Sequence, residues 1–307
     1  MTYSIVARDP VTGALGVAVE SHYFATGRVV TWAEAGVGAV ATQSLPDVGY
    51  GPRGLERMRA GETATAALQA LVAADAMQAV RQVAMVDAAG VVATHTGALC
   101  IAEAGHGTGH QVSVQANMMA RPTVCAAMLA AYTAAADLDL AGRLLAALDA
   151  AEAEGGDVRG RQSAALLVVS GRRTDAPWNE KLFDLRVDDH PEPLVELRRL
   201  LDAARAFDRL SRVFQGGMLF AALEPASPEL ARALDDLAET QRALGTANRE
   251  PTFWRAVLLA KAGRIDEARE ALRAATAAHA GWGDLIGRLA PLGILPIDAA
   301  TLERLRT

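Results

Sequence analysis

Residues 1–21 read MTYSIVARDPVTGALGVAVES. Tyr3, Ile5 and Val6 are strand-forming residues, Asp9-Pro10-Val11-Thr12-Gly13 is a turn cluster, and Leu15 to Val19 resumes the strand pattern. The stretch therefore reads as a β-hairpin. Chain termini usually fray, whereas here the first strand starts at residue 2. A small second residue also permits removal of the initiator methionine. Thr2 would then carry a free α-amine and a hydroxyl at the head of an ordered strand.

Working outward, two more strands are expected at residues 28–32 and 38–43, followed by a Pro/Gly/Tyr loop over 44–52 and helices at 53–60 and 63–73. Strands at 81–87 and 91–96 flank the turn Asp87-Ala88-Ala89-Gly90, and another strand at 112–117 follows a Gly/His loop. Helices at 122–135 and 139–153 end at Gly155-Gly156, strands at 163–169 and 182–187 come next, and a charged amphipathic helix spans 191–212. Simple βαβ alternation would predict a parallel sheet. Blocks of hairpins separated by helix pairs instead predict an α+β chain with a four-layer αββα sandwich, the order used by N-terminal-nucleophile (Ntn) hydrolases. Beyond about Phe207 the pattern is purely helical, at 228–244, 251–262, 265–278 and 281–290, with one tetratricopeptide-like hairpin in it. The expected domains are 1–212, an Ntn-like sandwich, and 213–307, a small all-α domain, with Gly216-Gly217 as the flexible stretch.

Composition narrows the function classes. The chain has 307 residues, 51% of them apolar, which supports a sizeable core and excludes global disorder. A formal net charge of −6 argues against a nucleic-acid partner. Lys181 and Lys261 are the only lysines, and Cys100 and Cys125 are too few and too far apart for a metal knuckle. There is no signal-peptide pattern and no apolar run of membrane-spanning length, so a cytoplasmic protein with no membrane partner is expected.

Several strings resemble one bacterial and archaeal family: Thr2 to Asp9, Gly38 to Gln43, Tyr50-Gly51-Pro52, Gly155 to Leu167 and Asp184 to Pro191. The family is catalogued as domain of unknown function 1028 and placed among the Ntn hydrolases. The resemblance covers roughly residues 1–205, and residues 253–296 more weakly resemble the peptidoglycan-binding-type domain that accompanies some members. It implies a fold and a mechanism class, not a substrate.

The chemistry centres on Thr2. A terminal threonine can attack a carbonyl through its hydroxyl while its own amine takes the proton. That amine has a reference pKa of about 7.7–8.0, suited to general-base work near neutrality. Threonine is equally an ordinary strand residue. In proteasome-like enzymes an acid ends the second strand and a lysine lies in the third; here Glu20-Ser21 falls at the first place and Arg28 is the nearby cation. Arginine stays protonated, so it can lower the amine pKa but cannot act as base. Gln43 and Asn117, at strand ends, are candidate oxyanion donors or turn caps, and Asn117 lies in a Ser-Val-Gln-x-Asn string that resembles the family's. Ser4 and Ser21 either bond the nucleophile or are plain strand hydroxyls. Arg161 and Gln162 precede a buried-looking strand, where the arginine holds a substrate carboxylate or pairs with Asp157.

His95, His106 and His110 match no zinc spacing, so no metal is expected. Asp188-Asp189-His190 reads as a paired-carboxylate site or, since a proline and a helix follow, as N-capping by Asp189 or compensation of the helix dipole. The expected activity is hydrolysis of a small amide, peptide or ureido bond without a cofactor. The alternative is a non-catalytic binding protein on the same scaffold. A peptidoglycan fragment or a protein is the expected partner of the tail, and a homo-oligomer is the expected assembly.

Overall fold

The computed structural model describes residues 2–215 and 217–307. Met1 and Gly216, on which the processing and linker expectations fall, lie outside the described residues. The chain is α+β, a mixed region with two sheets followed by helices. It divides into two compact units, one ending at Leu201 and one running from Asp202 to Thr307.

In the first unit, strands β1 (Thr2–Arg8) and β2 (Leu15–Ser21) form the opening hairpin, in register from Tyr3 opposite Glu20 to Arg8 opposite Leu15. The Asp9 carboxylate accepts from the Val11 and Thr12 backbone N–H groups and holds the turn. Next come helix α1 (Gly27–Val30), strands β3 (Thr31–Glu34) and β4 (Gly38–Ser44), and helices α2 (Tyr50–Arg59) and α3 (Ala64–Ala73). Strands β5 (Arg81–Asp87), β6 (Val92–Thr96), β7 (Gly105–Gly109) and β8 (Val112–Asn117) precede helices α4 (Val124–Ala134) and α5 (Leu140–Ala153). Strands β9 (Ser163–Val169) and β10 (Lys181–Val187) complete the sheets, and helix α6 (Pro193–Gln215) follows.

Two sequence expectations change here. Residues 27–30 form a helical turn, not the first part of a strand. Gly27 sits so close to β9 that a Cβ there would lie 2.4 Å from Ala165 Cβ, and Thr31 Oγ1 donates to the Gly27 carbonyl. The turn carries Val29 and Val30 into the core between the sheets, a tertiary gain that overrides their strand propensity. The Gly/His loop is the edge strand β7, paired with β8 from Gly105 opposite Ala116 to Gly109 opposite Val112.

The sheets have the orders β10-β9-β2-β1-β8-β7 and β3-β4-β5-β6, and every pairing is antiparallel. Strand alternation sends side chains to opposite faces, which builds three cores. Ile5, Ala18, Val114 and Leu166 pack against Leu144, Leu148 and Met128 of α4 and α5. Val6, Val17, Val19, Ala39, Ala41, Ala84 and Leu167 fill the space between the two sheets. Val40, Val83 and Met85 pack against Leu55, Met58 and Leu68 of α2 and α3.

Helix α6 supplies Leu194, Leu197 and Leu201 to the first of these cores, while Leu210 and Val213 belong to the helical unit. The division between the compact units falls inside this helix, between Leu201 and Asp202. The second unit continues with α7 (Pro228–Leu244), α8 (Glu250–Lys261), α9 (Ile265–Ala278), α10 (Gly281–Leu289) and α11 (Ala299–Arg306) around Phe253, Val257, Leu258, Leu272 and Ile286. Ser227 caps α7 by accepting from Leu230 N–H. No helix among the described residues is long and apolar enough to cross a membrane.

Candidate functional site

The space between the sheets is apolar over most of its length and polar at one end. Alternation turns Thr2 and Ser4 inward with Val6, Ser21 inward with Val19, Gln43 with Ala41, and Gln82 with Ala84. On β8 the inward positions are Ser113, Gln115 and Asn117, since Val112, Val114 and Ala116 face the helices. All eight polar side chains are at most 6% exposed, and none is ionisable. Buried polar groups of this kind are nearly always hydrogen-bonded.

Their bonds have a single direction. The Ser4 hydroxyl donates to Gln43 Oε1 at 2.6 Å and accepts from Gln115 Nε2 at 2.5 Å. Gln43 Nε2 is thereby turned toward three acceptors: Thr2 carbonyl (3.2 Å), Gln82 Oε1 (2.8 Å) and Gln115 carbonyl (3.3 Å). Gln82 Nε2 faces Thr96 Oγ1, Gly105 carbonyl and Ala116 carbonyl at 2.9–3.1 Å, so its oxygen faces Gln43 and Asn117. Asn117 Nδ2 donates to Gln82 Oε1 at 3.0 Å and to the Thr2 carbonyl at 3.4 Å. Two amides thus converge on the Thr2 carbonyl, and the Thr2 and Ser21 hydroxyls share a 3.0 Å bond. Asn117 Oδ1 is buried and has no hydrogen-bond partner.

The network ends at His106. Because Thr96 Oγ1 accepts from Gln82, its own proton is available to His106 Nδ1, 2.9 Å away. Burial, with His95 adding to it, holds the His106 imidazole below its ordinary pKa. The backbone is strained beside the site. Of the non-glycine residues at positive φ, Ser44 (72°) directly follows Gln43 and Met118 (59°) directly follows Asn117. Such conformations gather where surrounding structure must hold a side chain in a set place.

The structure brings Thr2, Ser4, Ser21, Gln43 and Asn117 together and leaves the other candidates elsewhere. Arg28 is exposed on α1. Arg161 is held by Glu152 and Glu192, not by Asp157, which pairs with Arg159. Gln162 Nε2 donates to Asp189 Oδ1 at 3.3 Å. Asp189 caps no helix, because α6 starts only at Pro193. Glu20 lies on the opposite face of the sheet, beside Tyr3, whose hydroxyl donates to Glu152 at 2.6 Å. Both Glu20 carboxylate oxygens are buried, and neither has a hydrogen bond of ordinary geometry. Burial pushes its pKa up to about 8, helped by Glu152 and Asp157 and opposed by Tyr3 and the Gln162 backbone. Cys100 and Cys125 are free thiols, and burial pushes Cys125 up to about 11. Among the described residues no group of three or more His, Cys, Asp or Glu side chains is placed to hold a metal ion.

Sequence reading missed three members of the cluster, Ser113, Gln115 and Gln82. The parity of Gln82 with Ala84 and Val86 marked it as a polar side chain aimed between the sheets.

A family model described as "Family of unknown function (DUF1028)" matches residues 2–197, which include the whole polar cluster. The chain is also similar to the crystal structure of protein SPO2555 from Silicibacter pomeroyi, assigned to the same family model. Sequence identity is 33% and the TM-score 0.59, over 66% of this chain and 88% of that one. No curated protein matches.

Proposed function

The chain belongs to the family of unknown function DUF1028, and on that footing we propose that it is an N-terminal-nucleophile amidohydrolase acting on an amide, peptide or ureido bond. The observation that carries this reading is the fixing of Thr2: its carbonyl accepts from Gln43 and Asn117, and its hydroxyl bonds Ser21. Breaking the bond between residues 1 and 2 makes Thr2 terminal. Its α-amine then lies beside a cluster of neutral side chains. Desolvation without a carboxylate partner lowers an amine's pKa, which leaves it unprotonated and able to act as base near neutrality.

Thr2 Oγ1 attacks the substrate carbonyl carbon and passes its proton to the α-amine. Collapse of the tetrahedral intermediate breaks the C–N bond, the proton moves to the leaving nitrogen, and an ester to Thr2 remains. Water hydrolyses that ester, releasing the acid and restoring Thr2. Two antiparallel sheets face to face, with helix pairs outside, resemble the layering of Ntn hydrolases and support the reading.

One observation favours the alternative of a non-catalytic binding scaffold. The N–H groups of Gln43 and Asn117 are already engaged, so neither amide offers a free donor to an oxyanion. A β-lactone probe separates the two. Its ring carbonyl acylates a nucleophilic hydroxyl, and the opened alkoxide takes up the proton. The hydrolase reading expects one adduct on the Thr2 peptide, absent in Thr2→Ala and retained in part by Thr2→Ser. Protein that begins at Thr2 yet gains no adduct there would support the binding scaffold.

A further inference from the structure

The helical unit holds a cavity of about 670 Å³ where α8 and α10 begin, within the size range of small-ligand sites. Its polar lining is unusual in hydrogen-bond type. Seven arginines of this unit, including Arg232, Arg264 and Arg269, pair with carboxylates three or four residues away. The side chains of Arg249 and Arg288, which line the cavity, make no ion pair and no hydrogen bond among the described residues, and Arg249 Nε is buried. Asn248 Oδ1 already accepts from Glu250 N–H, so its free atoms are the two hydrogens of Nδ2. His279 Nδ1 accepts from Gly281 N–H, so the neutral ring presents Nε2–H. The Trp282 indole lines the cavity, its ring stacked on Phe253 at 4.8 Å. Opposing this set of donors is one carboxylate, Asp284.

We propose that this cavity is a second binding site, for a small organic carboxylate. The ligand's anionic oxygens would take the Arg249 and Arg288 guanidinium donors, and its apolar body would lie on Trp282 and Leu285. Uncommitted donors call for acceptor oxygens, and planar guanidinium groups match a carboxylate with two parallel bonds. Two helix N-termini at the cavity add positive potential of the same sense. Asp284 disfavours the anion and sets the affinity below its maximum. The site does not depend on the Thr2 reading.

The test uses the full-length protein and 3-phenylpropanoate, with 3-phenylpropanamide and inorganic phosphate as comparison ligands. Binding is followed through the indole N–H resonance of Trp282, assigned with Trp282→Phe. The carboxylate is expected to shift it saturably, and the neutral amide is not. Arg249→Gln and Arg288→Gln should each weaken binding about tenfold, roughly 1.4 kcal/mol. Asp284→Asn should tighten it several-fold, a gain that misfolding cannot mimic. The proposal is overturned by an absent shift, by equal binding of the amide or of phosphate, or by weaker binding in Asp284→Asn.

Discussion

Gln82 fixes which way two other amides face, although it touches neither Thr2 hydroxyl nor bulk solvent. Its Nε2 is committed to three acceptors, so its oxygen must receive Gln43 and Asn117. Gln82→Met removes these bonds but leaves no charge. Gln82→Glu aims an oxygen at the same three acceptors and brings a charge into a neutral interior. Both should destabilise in urea unfolding, Met by about 1–3 kcal/mol and Glu by more. The reverse order would mean that the bond directions are wrong. On the helix-facing side of the other sheet, Glu20 of β2 gives a pH signature. Its folded pKa of about 8 exceeds the ordinary 4.5. Between those values the folded state binds the extra proton, so stability falls as pH rises. Glu20→Gln should flatten that fall and raise stability at pH 8; an unchanged profile would contradict the burial argument. The sequence named Thr2 as a small second residue heading the first strand, and Gln43 and Asn117 as strand-end amides. Alternation puts Glu20 and Ser21 on opposite faces, and the register Tyr3 opposite Glu20 shows that Glu20 is the one turned toward the helices.

At the scale of elements, most strands and helices were legible from hydrophobic period and turn residues, because the opening hairpin and the later blocks obey local rules. The failures lie where packing outvotes those rules. Strand β7 has glycine at three of its five positions, Gly105, Gly107 and Gly109. Its only strand credential is pairing to β8, and the missing Cβ atoms let Leu129 of α4 close over the edge. Helix α2 shows the same logic at Gly51, where a Cβ would lie 2.2 Å from the Trp32 ring, whose Nε1 donates to the Val29 carbonyl. Gly51→Ala should displace the indole, with a loss of about 1–3 kcal/mol and a change in tryptophan emission. Unaltered stability and emission would show that the helix can slide to make room.

For the molecule as a whole, α6 is shared, its first half packing into one core and its second half into the other. Leu201 and Leu210 differ only in what they pack against, which no local signal encodes. A chain cut after residue 212 keeps Leu194, Leu197 and Leu201, and is expected to unfold cooperatively and to keep its reactivity toward the β-lactone. Aggregation or loss of the transition would show that the first unit depends on the second. The central claim, however, turns on one bond, that between residues 1 and 2. Intact mass of the protein from its native host, with N-terminal sequencing, measures it directly. The account predicts chains that begin at Thr2 with a free amine. Retention of Met1 in essentially all molecules would contradict it, since Thr2 would then have no amine with which to activate its hydroxyl.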